Sequence, residues 1–207
     1  MKRHALTAAA VAVVLSVSLA ACSGGGSDDK PKASPSKTPS AAPATTSAAP
    51  PQPPAQPTGA YGVTYEIQNW DQYATDPAVL AWKQTLEAVG GSVNSGKLAE
   101  PVRTGMSKKV LRDYVSSLEQ ARSGNWHVES VGKVRVESAE NSASRSTLTT
   151  CSWAPSTVYL TKDGKSPDGD ENFDVWLKNT YDLALRDGRW MITSSKSEGK
   201  CPGGPPA

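Results

Sequence analysis

The chain has 207 residues, with 22 Lys and Arg against 20 Asp and Glu and a formal net charge of +2. That near balance, without a basic cluster, argues against nucleic-acid binding. Three cysteines and two histidines leave little from which to build a multi-ligand metal centre.

Lys2, Arg3 and His4 open the chain with positive charge, and an apolar run follows from Ala5 to Leu19. That run is shorter than the roughly 20 residues a membrane-spanning helix needs, so residues 1–21 read as a signal peptide. Leu19-Ala20-Ala21-Cys22 resembles the lipobox of bacterial lipoproteins. The resemblance implies a diacylglyceryl thioether on Cys22 and attachment to the extracytoplasmic face of the cell membrane; two acyl chains meet the two-signal requirement for stable anchoring. A plain secretory signal cleaved after Ala21 and an uncleaved anchor are the alternatives.

Residues 22–59 read as a disordered linker. Between Ser23 and Thr58 stand nine prolines and no aromatic residue, Val, Ile, Leu or Met. A segment with nothing to bury cannot offset its ordering entropy. Fully stretched, it reaches on the order of 110 Å at ~3.1 Å per residue. It reads as a tether; its Ser/Thr-Pro mixture is also compatible with O-linked sugars.

Residues 60–207 are one domain's worth of chain. They hold every Trp, Tyr and Phe of the sequence, enough to build a core. Cys151 and Cys201 are the cysteines left after Cys22. In an exported protein such a pair is expected to form a disulfide, the rival being a reactive or metal-binding thiol.

Asp76-Pro77 is a helix start. Trp82, Leu86, Val89 and Val93 then form one apolar stripe, which runs through Gly90-Gly91 to a stop at Gly96. Leu98, Val102 and Met106 suggest a short helical turn interrupted by Pro101. Ser107 caps another helix, buried through Leu111, Tyr114 or Val115, Leu118 and Ala121 and ended by Gly124.

Beyond Gly124 the period becomes two. Trp126, Val128, Ser130, Gly132, Val134 and Val136 share one face of a long strand. A polar turn at Glu140-Asn141-Ser142 leads to a strand in which Thr147, Thr149, Cys151 and Trp153 alternate with Ser146, Leu148 and Thr150. Val158-Tyr159-Leu160 is predicted as a third strand, and Val175 to Leu185 as a fourth. Asp187-Gly188 fits a type I′ hairpin turn into a last strand beginning at Trp190. Helices first and consecutive strands second make an α+β pattern.

This order, with "AWKQTLEAV" in the first helix, the break at Asn94-Ser95-Gly96 and the closing "YDLALRDGRWMI", resembles the cone-shaped nuclear-transport-factor-two-like superfamily. The resemblance covers about residues 76–195. It implies N-terminal helices packed on a curved antiparallel sheet of four to five strands. With the signal, tether and cysteine pair, the whole resembles small actinobacterial lipoproteins that carry such a domain.

Enzymes of that superfamily, such as ketosteroid isomerases and polyketide cyclases, place an Asp, His or Tyr inside the cone, but none of their catalytic motifs matches here by position. His127, beside Trp126 and on the same strand face as Glu129, is the one imidazole beyond the signal and a weak candidate base; a solvated strand histidine is the alternative. Tyr114 and Asp113 are candidates for a polar pocket, Tyr114 equally for core. Tyr114, Trp126, Trp153, Trp176 and Trp190 are the candidate pocket residues, although core packing alone explains the tryptophans. Asp168, Asp170, Asn172 and Asp174 alternate like a calcium loop, but Phe173 and Asn179 stand where an EF-hand-like loop wants Gly and Glu, so no metal and no cofactor is expected. Gly-x-Ser-x-Gly, P-loop and HExxH signatures are missing. The expected function is non-catalytic binding of a small ligand or an envelope protein partner. An enzyme using a cone residue and a homodimeric structural module are the alternatives.

Metabolic labelling with palmitate should mark the protein. Cys22→Ala should lose the label and be released into the medium; equal release of wild type and variant would exclude the lipid anchor.

Overall fold

The computed structural model describes residues 52–167 and 173–206. The signal segment, Cys22 and the tether up to residue 51 lie outside the described residues, as does most of the Asp168–Asp174 segment.

Helix α1 (Pro77–Ser95) follows its sequence signals closely. The Asp76 carboxylate accepts from the amides of Ala78 and Val79 at 2.9 and 3.2 Å, Pro77 holds the first helical position, and Gly96 closes the helix at φ 66°. Gly90 and Gly91 are there for close packing. A Cβ on Gly91 would lie 2.5 Å from Tyr61, and one on Gly90 would crowd the methyls of Val63 and Val128. Helix α2 (Glu100–Thr104) carries Pro101 in its first turn. Helix α3 (Lys108–Gly124) is capped by Ser107, whose hydroxyl accepts from the Val110 amide. The left-handed residue ending α3 is Asn125, at φ 52°, and not Gly124. Gly124 lies under the Trp126 indole, where a Cβ would sit 2.3 Å from Nε1.

The sheet contains β1 (Thr64–Ile67), β2 (Val131–Asn141), β3 (Arg145–Trp153), β4 (Trp176–Arg186) and β5 (Arg189–Cys201), hydrogen-bonded in that order. It is mixed rather than wholly antiparallel, because β1 pairs in parallel with β2. Four residues are too short a run to stand out as a strand in sequence, although their burial alternates as a strand's should. Strand β2 starts five residues later than its alternation suggests and runs through Asn141, with the turn at 142–144. The predicted strand at Val158–Leu160 is a correction: Pro155 opens a short helix α4 (Ala154–Thr157), and only Leu160 pairs, in one bridge to His127. The Asp187-Gly188 turn has φ 50° and 75°, as a type I′ turn requires.

The alternation places Val134, Val136, Leu148, Tyr181, Leu183 and Ile192 in one core cluster with Trp82, which is fully buried. Trp82 and Tyr181 meet edge to face at 5.6 Å. The opposite face carries a smaller cluster. Cys151 and Cys201 stand there at bonding distance, their Cα atoms 6.1 Å apart, beside Trp153 and Trp176. Trp176 Nε1 donates to the Gly204 carbonyl at 2.8 Å and holds the C-terminal tail down.

The folded unit begins upstream of the expected boundary at residue 60. Trp70 Nε1 donates to the Pro54 carbonyl at 2.7 Å, and the Gln56 side-chain amide pairs with the Tyr65 carbonyl and the Ile67 amide. Lys83 Nζ donates to the Pro57 carbonyl at 2.9 Å. The same ammonium is paired with Glu87, whose carboxylate also accepts from the Tyr65 amide at 2.9 Å. Lys83 and Glu87 are 1% and 5% exposed, so each charge depends on the other. Removing one partner of a buried pair costs about 3–5 kcal/mol, whereas neutralising both is close to neutral. Glu87→Ala should lose that amount in denaturant titration. Glu87→Gln combined with Lys83→Met, which keeps an acceptor for Tyr65, should recover most of it.

Candidate functional site

A concavity lies between α3 and the α1-facing side of β4 and β5. It has a volume of about 470 Å³. Its apolar wall comes from Leu86 and Val89 of α1, Met106 ahead of α3, and Val110 of α3. Its polar wall comes from Lys109, Asp113 and Ser117 of α3 and from Asn179, Ser195 and Ser197 of the sheet. The register explains the sheet side: Tyr181 pairs with Ser195 and Asn179 with Ser197, so these side chains rise from one face. Small hydroxyls on β5 leave open the space that larger side chains would fill.

Tyr114 lines this groove, and its hydroxyl donates to the Val89 carbonyl at 2.9 Å. Asp113 lies beside it. The other candidate residues are not brought together. Trp126 sits past the end of α3, its ring 5.9 Å from that of Tyr159. Trp153 and Trp176 are on the opposite face of the sheet, 5.6 Å apart edge to face, because they are register partners in phase with Cys151. Trp190 is half-buried at the hairpin end, near Ala81, Thr85 and Gly105. His127 exchanges both backbone hydrogen bonds with Leu160, at 2.8 and 2.7 Å, and does not line the groove. The cysteine pair is remote from it as well.

Sequence reading missed Asn179, Ser195 and Ser197. The run Thr193-Ser194-Ser195-Lys196-Ser197 looks like a solvated edge strand, and the usable signal was only its phase relative to Tyr181. Three buried polar atoms, Trp82 Nε1, Ser146 Oγ and Thr150 Oγ1, have no hydrogen-bond partner among the described residues. The Trp82 indole lies beside the Tyr181 ring but outside hydrogen-bonding geometry.

Burial dominates the electrostatics of the phenols. It pushes Tyr181 up to about 12, and it raises Tyr65, Tyr114 and Tyr159 from the ordinary value of 10.0. Neighbouring phenols add to the rise at Tyr65 and Tyr114. Tyr114, with a raised pKa and a donated proton already shared with a backbone carbonyl, is a positioned wall residue rather than an acid or base near neutrality. Among the described residues, no group of three His, Cys, Asp or Glu side chains is placed to hold a metal ion. No helix among them is long and apolar enough to cross a membrane.

No protein-family model matches this chain, and no curated protein is significantly similar to it.

The buried phenols predict the alkaline limit of stability. Above pH 10 the unfolded chain releases phenolic protons that the folded chain keeps, so stability falls as pH rises. It should be intact below pH 10 and decline progressively through about pH 12. Phenolate absorbance should follow unfolding, and Tyr181→Phe should lessen the slope.

Proposed function

We propose that this chain is a lipid-anchored, extracytoplasmic binding protein, tethered through Cys22, whose cone-like domain takes a small amphiphilic ligand in the groove between α3 and β4–β5. The observation that carries the reading is the groove itself. About 470 Å³ falls within the ~300–1,000 Å³ range of small-molecule sites. Its wall divides into an apolar side, from Leu86 to Val110, and a hydrogen-bonding side of Asn179, Ser195, Ser197 and Ser117. An apolar wall takes the body of a ligand, and a few convergent polar groups fix its orientation.

The polar side offers both donors and acceptors, with Lys109 and Lys196 set against Asp113. That mixture suits a hydroxyl-bearing head group better than a bare anion. Binding is favoured over catalysis by the engagement of Tyr114 with Val89 and by the position of His127 away from the groove.

Using n-octyl β-glucoside as the probe, kept below its micelle-forming concentration, the full chain should bind by calorimetry. Ser195→Trp, which fills the groove from an exposed strand position, should weaken binding at least tenfold with unchanged melting. His127→Ala should bind like wild type. Equal binding by Ser195→Trp would refute the groove assignment. Absence of binding together with a concentration-dependent dimer in light scattering would favour the homodimeric module.

A further inference from the structure

A second hollow lies on the same side of the sheet as the groove. It has a volume of about 300 Å³ and is walled by Trp126, Val158, Tyr159, Phe173 and Leu177, with Lys200 at its rim. Among the described residues, Lys200 and Ser166 are the non-aromatic polar residues that line it. Among the described residues, its lining side chains are more apolar than those of the groove.

The two hollows are neighbours along one strand. Leu177 lines the apolar pocket, and Asn179, two positions on along the same face of β4, lines the groove. Two residues of strand advance about 7 Å. Strand β5 repeats the division, since Lys200 is the partner of Leu177 and Ser197 that of Asn179. Tyr159 of the pocket adds to the rise that burial causes at Tyr114 of the groove, so the two phenols are within electrostatic range of each other. A groove that carries hydrogen-bonding groups beside an apolar wall, and a mainly apolar pocket one strand step away, match the head and the tail of a single amphiphile.

We propose that the Trp126–Phe173 pocket is a tail subsite, which receives the alkyl or aryl tail of the ligand whose hydroxylated head lies in the groove. This rests on the groove reading above and adds the class of ligand: an elongated, single-tailed amphiphile. Lys200, an exposed residue at the rim, can lay its aliphatic stem beside the tail and keep its ammonium in solvent.

The test uses the full chain and a series of n-alkyl β-glucosides from hexyl to nonyl. If the tail enters the pocket, affinity rises about fourfold per methylene, the factor that burial of one CH₂ supplies. Octyl glucoside brominated at the end of its tail quenches the tryptophan fluorescence of wild type. Trp126→Phe, compared with wild type at saturating ligand, loses most of that quenching. Val158→Trp and Leu177→Trp, two independent ways of filling the pocket, flatten the dependence on chain length. An affinity that does not change along the series, or quenching unaltered in Trp126→Phe, overturns the tail subsite. If Ser195→Trp still abolishes binding in that case, the groove reading stands without it. Conversely, a chain-length dependence that survives unchanged in Ser195→Trp supports the pocket and refutes the groove as the place of the head.

Discussion

The buried pair of Lys83 and Glu87 is the constraint on which the N-terminal half of the domain depends. Neither ion can be left alone in that environment, because desolvating an unpaired charge costs several kcal/mol. Each also has a second duty. The ammonium holds the Pro57 carbonyl, and the carboxylate holds the Tyr65 amide. One helix turn of α1 thereby fixes both the incoming segment and the edge strand β1. Close packing follows from the same arrangement: Gly90 and Gly91 bring α1 against Val63 and Tyr61, and Gly59 meets the Val63 carbonyl where no Cβ fits.

Side-chain amides complete what the ion pair begins. Gln56 covers the outer edge of β1 by pairing with Tyr65 and Ile67. Asn69 bonds both the amide and the carbonyl of Val136, next to the bulge between Val136 and Ser138. Asn94 does the same for Val128, before β2 begins. Each primary amide acts as a surrogate peptide group where the ladder stops, so buried backbone groups are not left unpaired. Covering an edge in this way also removes a template for unwanted strand pairing.

The groove is a consequence of how unevenly the sheet is filled. Under α1, Trp82, Leu148 and Ile192 close the space. Toward the far ends of β4 and β5 the same face carries Asn179, Ser195 and Ser197, and α3 roofs it with Tyr114 and Val110. Short polar side chains opposite an apolar helix face leave a hollow with two chemistries. On the reverse face the cysteine pair and the Trp153–Trp176 contact stiffen the sheet without touching that hollow.

Much was legible in the sequence wherever the physics is local. Asp76-Pro77, Gly96 and Ser107 set the helix ends by hydrogen-bonding and backbone geometry within a few residues. Asp187-Gly188 set the hairpin because both positions need positive φ. Period-two alternation divided β2 and β3 into two faces each without saying which face of β3 is inward, and the pairing of Cys151 with Cys201 was inferred from their number. The parallel strand β1, the packing of residues 54–60 and the loss of the Val158–Leu160 strand were not legible. Each depends on partners far away in the chain: β1 on Val131–Val134, the N-terminal segment on Lys83 and Trp70, and Leu160 on His127. The candidate site divides in the same way. Tyr114 and Asp113 stood out as polar groups on a buried helix face, but the serines that face them did not, and five aromatic residues expected on one surface are spread over four. By itself the sequence determined helix ends, turns, strand phase and one lipobox-like cysteine, because those are set by neighbours in the chain. Only the tertiary structure decided which charges are buried and which side chains share a cavity, because strand register and helix docking bring together residues that have no local reason to meet.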